Sequence, residues 1–248
     1  VVNVPDPRLK QLEGIVKPER VVPAMVTFVD IAGLVKGAAA GEGLGNQFLS
    51  HIREVNAIAH VVRCFEDDNI IHVMGGVDPQ RDIEIIDLEL CLSDQDTAKK
   101  RLERAEKVAK TGNAEAKAEA ELMKQIVEGL GRGTPIRRMP GIKERLTQDN
   151  FLTSKPVIYV ANISENDVKS MSEKTKSWLA EVKKVAEIDK TQVVAMCVGL
   201  ESQLRQMSDE DRVVFQQEYG IEEPALDRFI REAYRLLGLM TYFTAGVK

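Results

Sequence analysis

Residues 26–47 read V-T-F-V-D-I-A-G-L-V-K-G-A-A-A-G-E-G-L-G-N-Q. The first four are apolar or β-branched and predict a buried strand that ends on the acid Asp30. Gly33 follows, and five glycines fall between Gly33 and Gly45. A hydrophobic strand that delivers a carboxylate to its C-terminal end, followed by a glycine-rich loop, is how α/β sheets present a Mg²⁺-phosphate site. The carboxylate would reach the metal through water. The Gly33 N–H could approach a terminal phosphate because no side chain stands in the way. D-x-x-G alone is a common pattern, and its bland reading is a strand followed by a solvent loop. The density of glycine favours the phosphate loop.

The 248 residues, 44% of them hydrophobic, suffice for one large domain or two small ones. A net charge of -5 gives no global pull toward nucleic acid or membrane, and direct DNA binding is not expected. Cys64, Cys91 and Cys197 are widely spaced with no C-x-x-C, which argues against a disulfide framework or a zinc site. Cys64 and Cys197 end apolar runs and read as reduced, buried thiols. The cytoplasm is the simplest compartment. No apolar run approaches about 18 residues, so no membrane span is expected. The start, V-V-N-V-P-D-P-R, has neither the basic nor the apolar part of a signal peptide, and without a Met the chain is expected to be cut from something longer.

Asp6-Pro7 predicts a helix start, with Leu9, Leu12, Ile15 and Val16 as its apolar stripe. Phe48, Leu49, Ile52 and Val55 mark a second helix, and residues 57–65 a further buried strand containing His60. A lone His in such a strand is more often a packing residue than a catalyst. Residues 66–82 read as a loop carrying His72, solvated by default, yet the best-placed titratable base if the site lies at this end of the sheet. Residues 83 to about 130 predict an antiparallel helical hairpin turning at Thr111-Gly112-Asn113, its charges a solvated face. Residues 129–135 read as a linker. Arg132, Arg137, Arg138, Lys143 and Arg145 form a basic cluster that could touch RNA phosphates but is more often plain surface. Residues 157–161 and 192–197 predict buried strands, with helices at Trp178–Ala186, after Ser208 and after Pro224. Residues 241–247 are strand-like. Strands alternating with helices mean a mainly parallel α/β sheet.

Three motifs follow three strands: D-I-A-G at Asp30, N-I-S-E at Asn162 and C-V-G-L at Cys197. In an open α/β sheet the C-terminal strand ends face one crevice, where ligands bind. This order resembles the P-loop GTPases, with D-x-x-G, then N-K-x-D for the base, then S-A-K. Two departures stand out. Ile163 and Glu165 replace the Lys and Asp; a Glu is one methylene longer than the Asp that fits guanine as a fork, and losing that fork removes guanine's advantage. Leu34 replaces the Gln that orients the attacking water. With the strings V-D-I-A-G-L-V-K-G-A, G-E-G-L-G-N-Q-F-L, H-V-V-R-C-F-E and T-Y-F-T-A-G-V-K, the chain resembles the Obg-related YchF subfamily, the Obg-like ATPases, over nearly its whole length and least from Thr111 to Lys155.

The resemblance implies a P-loop NTPase-type α/β fold with a coiled-coil-like helical insert. It implies an ATPase that takes ATP over GTP with Mg²⁺, a C-terminal TGS domain, and association with ribosomes and translation or stress responses. Asp30 would touch Mg²⁺ through water, and Gly33 the γ-phosphate. Asn162, Ile163 and Glu165 would line the base pocket, and Val198, Gly199 and Leu200 would close its far side. His72 would stand in for the missing Gln. The expected division is residues 1–82 and 151–240 for the nucleotide domain, 83–150 for the insert and 241–248 for the start of the TGS domain. No G-x-x-x-x-G-K-[ST] occurs, so these 248 residues alone are expected to bind nucleotide poorly and not turn it over. The alternatives are a GTPase, or a binding module whose output is nucleotide-gated docking through the hairpin and the Arg137-Arg138 region.

Overall fold

The elements in chain order are β1 (Val2–Asn3), α1 (Pro7–Val16), β2 (Met25–Val26), α2 (Leu44–Glu54), β3 (Ile58–Arg63), α3 (Pro79–Ala109) and α4 (Ala114–Gly131). After three 3₁₀ turns come β4 (Val157–Asn162), α5 (Glu165–Lys169), α6 (Glu173–Ile188), β5 (Val193–Met196), α7 (Val198–Gln206), α8 (Asp209–Tyr219) and α9 (Ala225–Leu236). The computed structural model describes residues 1–31, 44–70, 75–146 and 151–245. The chain divides into two units: Val1–Asp30, Ala59–Pro79 and Val157–Lys248 in one, Ile31–Ile58 and Gln80–Pro156 in the other.

In the first unit a three-stranded sheet has the order β3-β4-β5. β4 and β5 are parallel, with Tyr159 opposite Val193 and Asn162 opposite Met196. The Ile58 N–H donates to Pro156 O (2.9 Å) and the Cys64 N–H to Asn162 O (2.8 Å), the same offset at both ends, so β3 is parallel to β4 as well. The central strand β4 is buried on both faces, as its unbroken V-I-Y-V-A run requires. Ile158, Val160, Val194 and Met196 pack on Phe229 and Ala233 of α9. By strand alternation Tyr159 and Ala161 face the other side. There α6 packs with Trp178, Val182, Val185 and Ala186 buried, and the Tyr159 hydroxyl donates to Asp189 Oδ2 (2.6 Å) at its end. Each fully buried aliphatic in these layers contributes about 1.5–3 kcal/mol.

β1 and β2 form an antiparallel pair, Val2 opposite Val26. Val4 and Val26 pack on Ile230 of α9, and the Phe28 and Phe229 rings lie 5.1 Å apart, so one helix underlies both sheets. The expected buried strand over residues 26–29 is therefore corrected: the ladder stops at Val26, and Phe28 and Val29 are 37% and 55% exposed. Residues 57–65 also differ from expectation. Val62 is buried, but Ala59 and Val61 face solvent, because among the described residues β3 is the edge of its sheet. Asp6 caps α1 by accepting the Arg8 N–H (3.0 Å), yet no residue of that helix is buried: Leu9 and Leu12 of its apolar stripe are half-buried, and Ile15 and Val16 are exposed. Residues 241–245 form no strand.

The second unit holds α2 and the hairpin. Helix α3 starts at Pro79, four residues before the expected start, because Pro at a first helical position is already set for the helix. The turn lies where the sequence puts it: Gly112 takes φ 89°, and Asn113 accepts the Ala116 N–H (2.9 Å) to cap α4. Cys91 and Ala98 on α3 meet Leu122, Met123, Ile126 and Leu130 on α4, with Ile136, Ile142 and Phe151 in the same core. Burial pushes the Cys91 thiol up to about 12, so it is an inert core residue. The expected linker is helix as far as Gly131. The basic cluster is corrected at Arg137 and Arg138, while Arg132, Lys143 and Arg145 are exposed surface. Arg137 Nη2 meets Asp87 Oδ1 at 2.5 Å and Arg138 Nη2 meets Asp87 Oδ2 at 2.9 Å, with Arg137 and Asp87 buried. Arg132 pairs with Glu128 (2.6 Å), and Arg145 donates to Gln125 (3.2 Å). A second buried acid, Asp94, accepts the N–H groups of Leu152 (2.9 Å) and Thr153 (2.7 Å) and the Thr153 hydroxyl (2.7 Å).

Candidate functional site: the strand-end loops

Asn162 is the last residue of β4, and its Oδ1 accepts the Val198 N–H at 3.1 Å. Val198 opens α7, whose N-cap is the non-capping Cys197, so the Asn162 side chain takes the place of a cap. The Ile163 N–H donates to Met196 O at 2.9 Å. One hydrogen bond thus ties N-I-S-E to C-V-G-L, and a second ties it to the end of β5 just before that motif. Parallel neighbours β4 and β5 end at the same level, so their loops must leave the sheet together.

Asn162 is half-buried and Ile163 buried, while Glu165 is exposed at the first position of α5. Val198 and Gly199 are exposed and Leu200 is buried. Leu200 is thus a core residue that anchors α7. Asp30 follows β2 with its side chain in solvent. Gly33, Leu34 and His72 lie outside the described residues. Arg63, at the end of β3, donates to the carbonyls of Phe65 (3.0 Å), Ile70 (3.0 Å) and Asp67 (3.3 Å), which ties down the segment leading toward His72.

Three residues not singled out from the sequence shape these loops. Asp167 accepts from the Ser164 hydroxyl (2.6 Å), the Thr175 hydroxyl (2.9 Å) and the Ser172 N–H (2.8 Å). Burial alone would raise its carboxyl; the three donors outweigh that and hold it below the ordinary Asp value. The signal was legible, since Ser164-x-x-Asp167 is a capping-box variant. Glu201, on α7, accepts the Ala225 N–H (2.7 Å) and so caps α9; burial raises its carboxyl. Tyr219, which ends α8, donates its hydroxyl to Glu165 Oε1 at 2.8 Å, a contact across 54 positions with no local signature. Among the described residues no group of three or more His, Cys, Asp or Glu could hold a metal ion, and no helix is long and apolar enough to cross a membrane. An open cavity beside β1, lined by Val1, Val2, Asn3, Pro5, Arg205 and Asp227, shares no residue with these loops.

Residues 8–101 match the family described as 50S ribosome-binding GTPase. The whole chain is 48% identical to the ribosome-binding ATPase YchF of Escherichia coli O157:H7 and spans 68% of that protein. It is 45% identical, over 99% of its length, to the ribosome-binding ATPase YchF of Bacillus subtilis (strain 168), again spanning 68% of the relative. Among solved structures, that of the Schizosaccharomyces pombe YchF GTPase matches 99% of this chain and 67% of its own with a TM-score of 0.81 at 36% identity. Likeness over the full length in both sequence and fold, with the strand-end motifs in their expected order, leaves one conclusion: the chain belongs to the YchF family.

Proposed function

We propose that the protein is a P-loop-type NTPase that takes ATP in preference to GTP, hydrolyses it with Mg²⁺, and works in the cytoplasm as a ribosome-associated switch. The observation that carries this reading is the Asn162–Val198 hydrogen bond, which holds N-I-S-E and C-V-G-L side by side at the end of a parallel sheet. In this reading Asn162, Ile163 and Glu165 line one side of the base and Val198 and Gly199 the other, with Leu200 behind them. Gly33 gives its N–H to the terminal phosphate.

Asp30 is an exposed carboxylate that belongs, among the described residues, to no group of three or more metal-ligating side chains, which fits a metal held through water rather than by a protein cage. Bound Mg²⁺ would neutralise phosphate charge during transfer. His72 orients or deprotonates the attacking water in place of the absent Gln, and Arg63 steadies the segment before it.

The alternative, a switch whose output is docking, keeps the hairpin as the contact but not Arg137 and Arg138, which are spent on Asp87. Lys100, Arg104 and Lys107 are exposed on the outer face of α3 and suit an RNA phosphate surface better. The test is ribosome co-sedimentation of the full-length protein with ATP, with ADP and without nucleotide, alongside ATP turnover. Nucleotide-dependent, salt-sensitive sedimentation with turnover supports the switch. Sedimentation indifferent to nucleotide, or no turnover, counts against it.

A further inference from the structure

Tyr219 stands at the last position of α8, where Gly220 with φ 66° ends the helix. Its ring is held on two sides. Phe215 stacks on it at 4.2 Å between centroids, and the Lys169 ammonium lies 3.9 Å from its centroid. So held, its hydroxyl donates to Oε1 of Glu165 at 2.8 Å. The phenol's pKa is raised, first by that hydrogen bond.

A carboxylate has two oxygens and accepts only. Guanine presents two adjacent N–H donors on its pairing edge, whereas adenine presents one amino group there. A carboxylate free to turn both oxygens to a base suits guanine. One pinned through its first oxygen by a fixed donor cannot turn that way, and presents its other oxygen to a single donor. We propose that Tyr219 is a specificity-determining positioning residue: its hydroxyl engages Oε1 of Glu165 and leaves Oε2 as the one acceptor offered to the adenine amino group. The inference rests on the reading of Glu165 as a base-lining residue. It adds that the longer acid is not sufficient, and that α8 supplies the second half of the selection.

The experiment is equilibrium binding of ATP and of GTP to the full-length protein, wild type beside Tyr219→Phe and Glu165→Ala. The Phe variant keeps the ring between Phe215 and Lys169, so folding is preserved and a thermal melt verifies it. Freed from the hydroxyl, Glu165 can turn both oxygens to guanine. The ATP-to-GTP affinity ratio then falls about tenfold, the scale of one hydrogen bond to a charged group. If Tyr219→Phe weakens both nucleotides equally, or neither, while Glu165→Ala changes the ratio, Tyr219 is only structural and the inference is overturned with the base-pocket reading intact. If Glu165→Ala changes neither affinity, the base-pocket reading falls and takes the inference with it.

Discussion

Replacing Asp167 by Ala should destabilise the fold beside the N-I-S-E loop. One carboxylate serves two helix starts. Ser164 Oγ accepts the Asp167 N–H (3.3 Å) at the head of α5, Ser172 Oγ accepts the Thr175 N–H (3.2 Å) at the head of α6, and Asp167 bonds to both segments. Without it the Ser172 N–H loses its acceptor, at about 1–2 kcal/mol for a part-buried donor to a carboxylate. The Ser164 and Thr175 hydroxyls can turn to other partners and lose about 0.5–1 kcal/mol each. The sum is about 3 kcal/mol, or a fall in Tm of about 6–12 °C for a protein of this size. Asp167→Asn keeps one acceptor and should lose about half as much.

The pH dependence follows from the sign of the shift. The folded carboxyl lies below the ordinary value of 3.8. Its contribution is therefore fully present above that value and is lost as pH falls through the folded pKa. Melts by circular dichroism of wild type and Asp167→Asn should differ by a constant amount from pH 5 to 8 and converge below about pH 3.8. A Tm change under about 2 °C for Asp167→Ala, or a gap that widens in acid, would refute the reasoning.

Asp87→Ala should cost about 3–5 kcal/mol by removing the buried carboxylate that Arg137 and Arg138 share, read by urea denaturation. Asp94→Ala strands two buried N–H groups and a hydroxyl, and should cost about 3–5 kcal/mol in the same assay. Arg63→Ala removes three carbonyl contacts from the segment before His72, so ATP turnover should fall several-fold with ATP affinity changed less than about twofold. His72→Ala should likewise slow turnover with binding nearly intact, by about a hundredfold or more for a lost proton-transfer group; equal rates would remove His72 from the mechanism.

The sequence was most legible where burial is uniform. Residues 157–161 are an apolar run buried on both faces, residues 193–196 alternate half-buried and buried, and both are strands within a residue or two of their expected ends. Residues 26–29 look the same on paper, yet Phe28 and Val29 face solvent. An apolar run states what could be buried, not what covers it. The hairpin turn was legible because Thr-Gly-Asn carries its own geometry in Gly112 and its own cap in Asn113. Arg137 and Arg138 were misread because their partner, Asp87, is 50 positions away, and long-range charge pairs leave no local pattern. Strand order put the N-I-S-E and C-V-G-L loops at one end of the sheet, and the family resemblance set Asn162 and Val198 around one pocket; the structure joins the two by a hydrogen bond. The Tyr219–Glu165 contact was not, since it depends on where α8 folds back.

The central claim is that N-I-S-E selects ATP, and the direct test is the dissociation constants of ATP and GTP for the full-length protein at fixed Mg²⁺ and salt. The account predicts tighter binding of ATP by at least about tenfold, since a site that cannot pair both guanine donors leaves them unsatisfied. A preference for GTP of that size would contradict it.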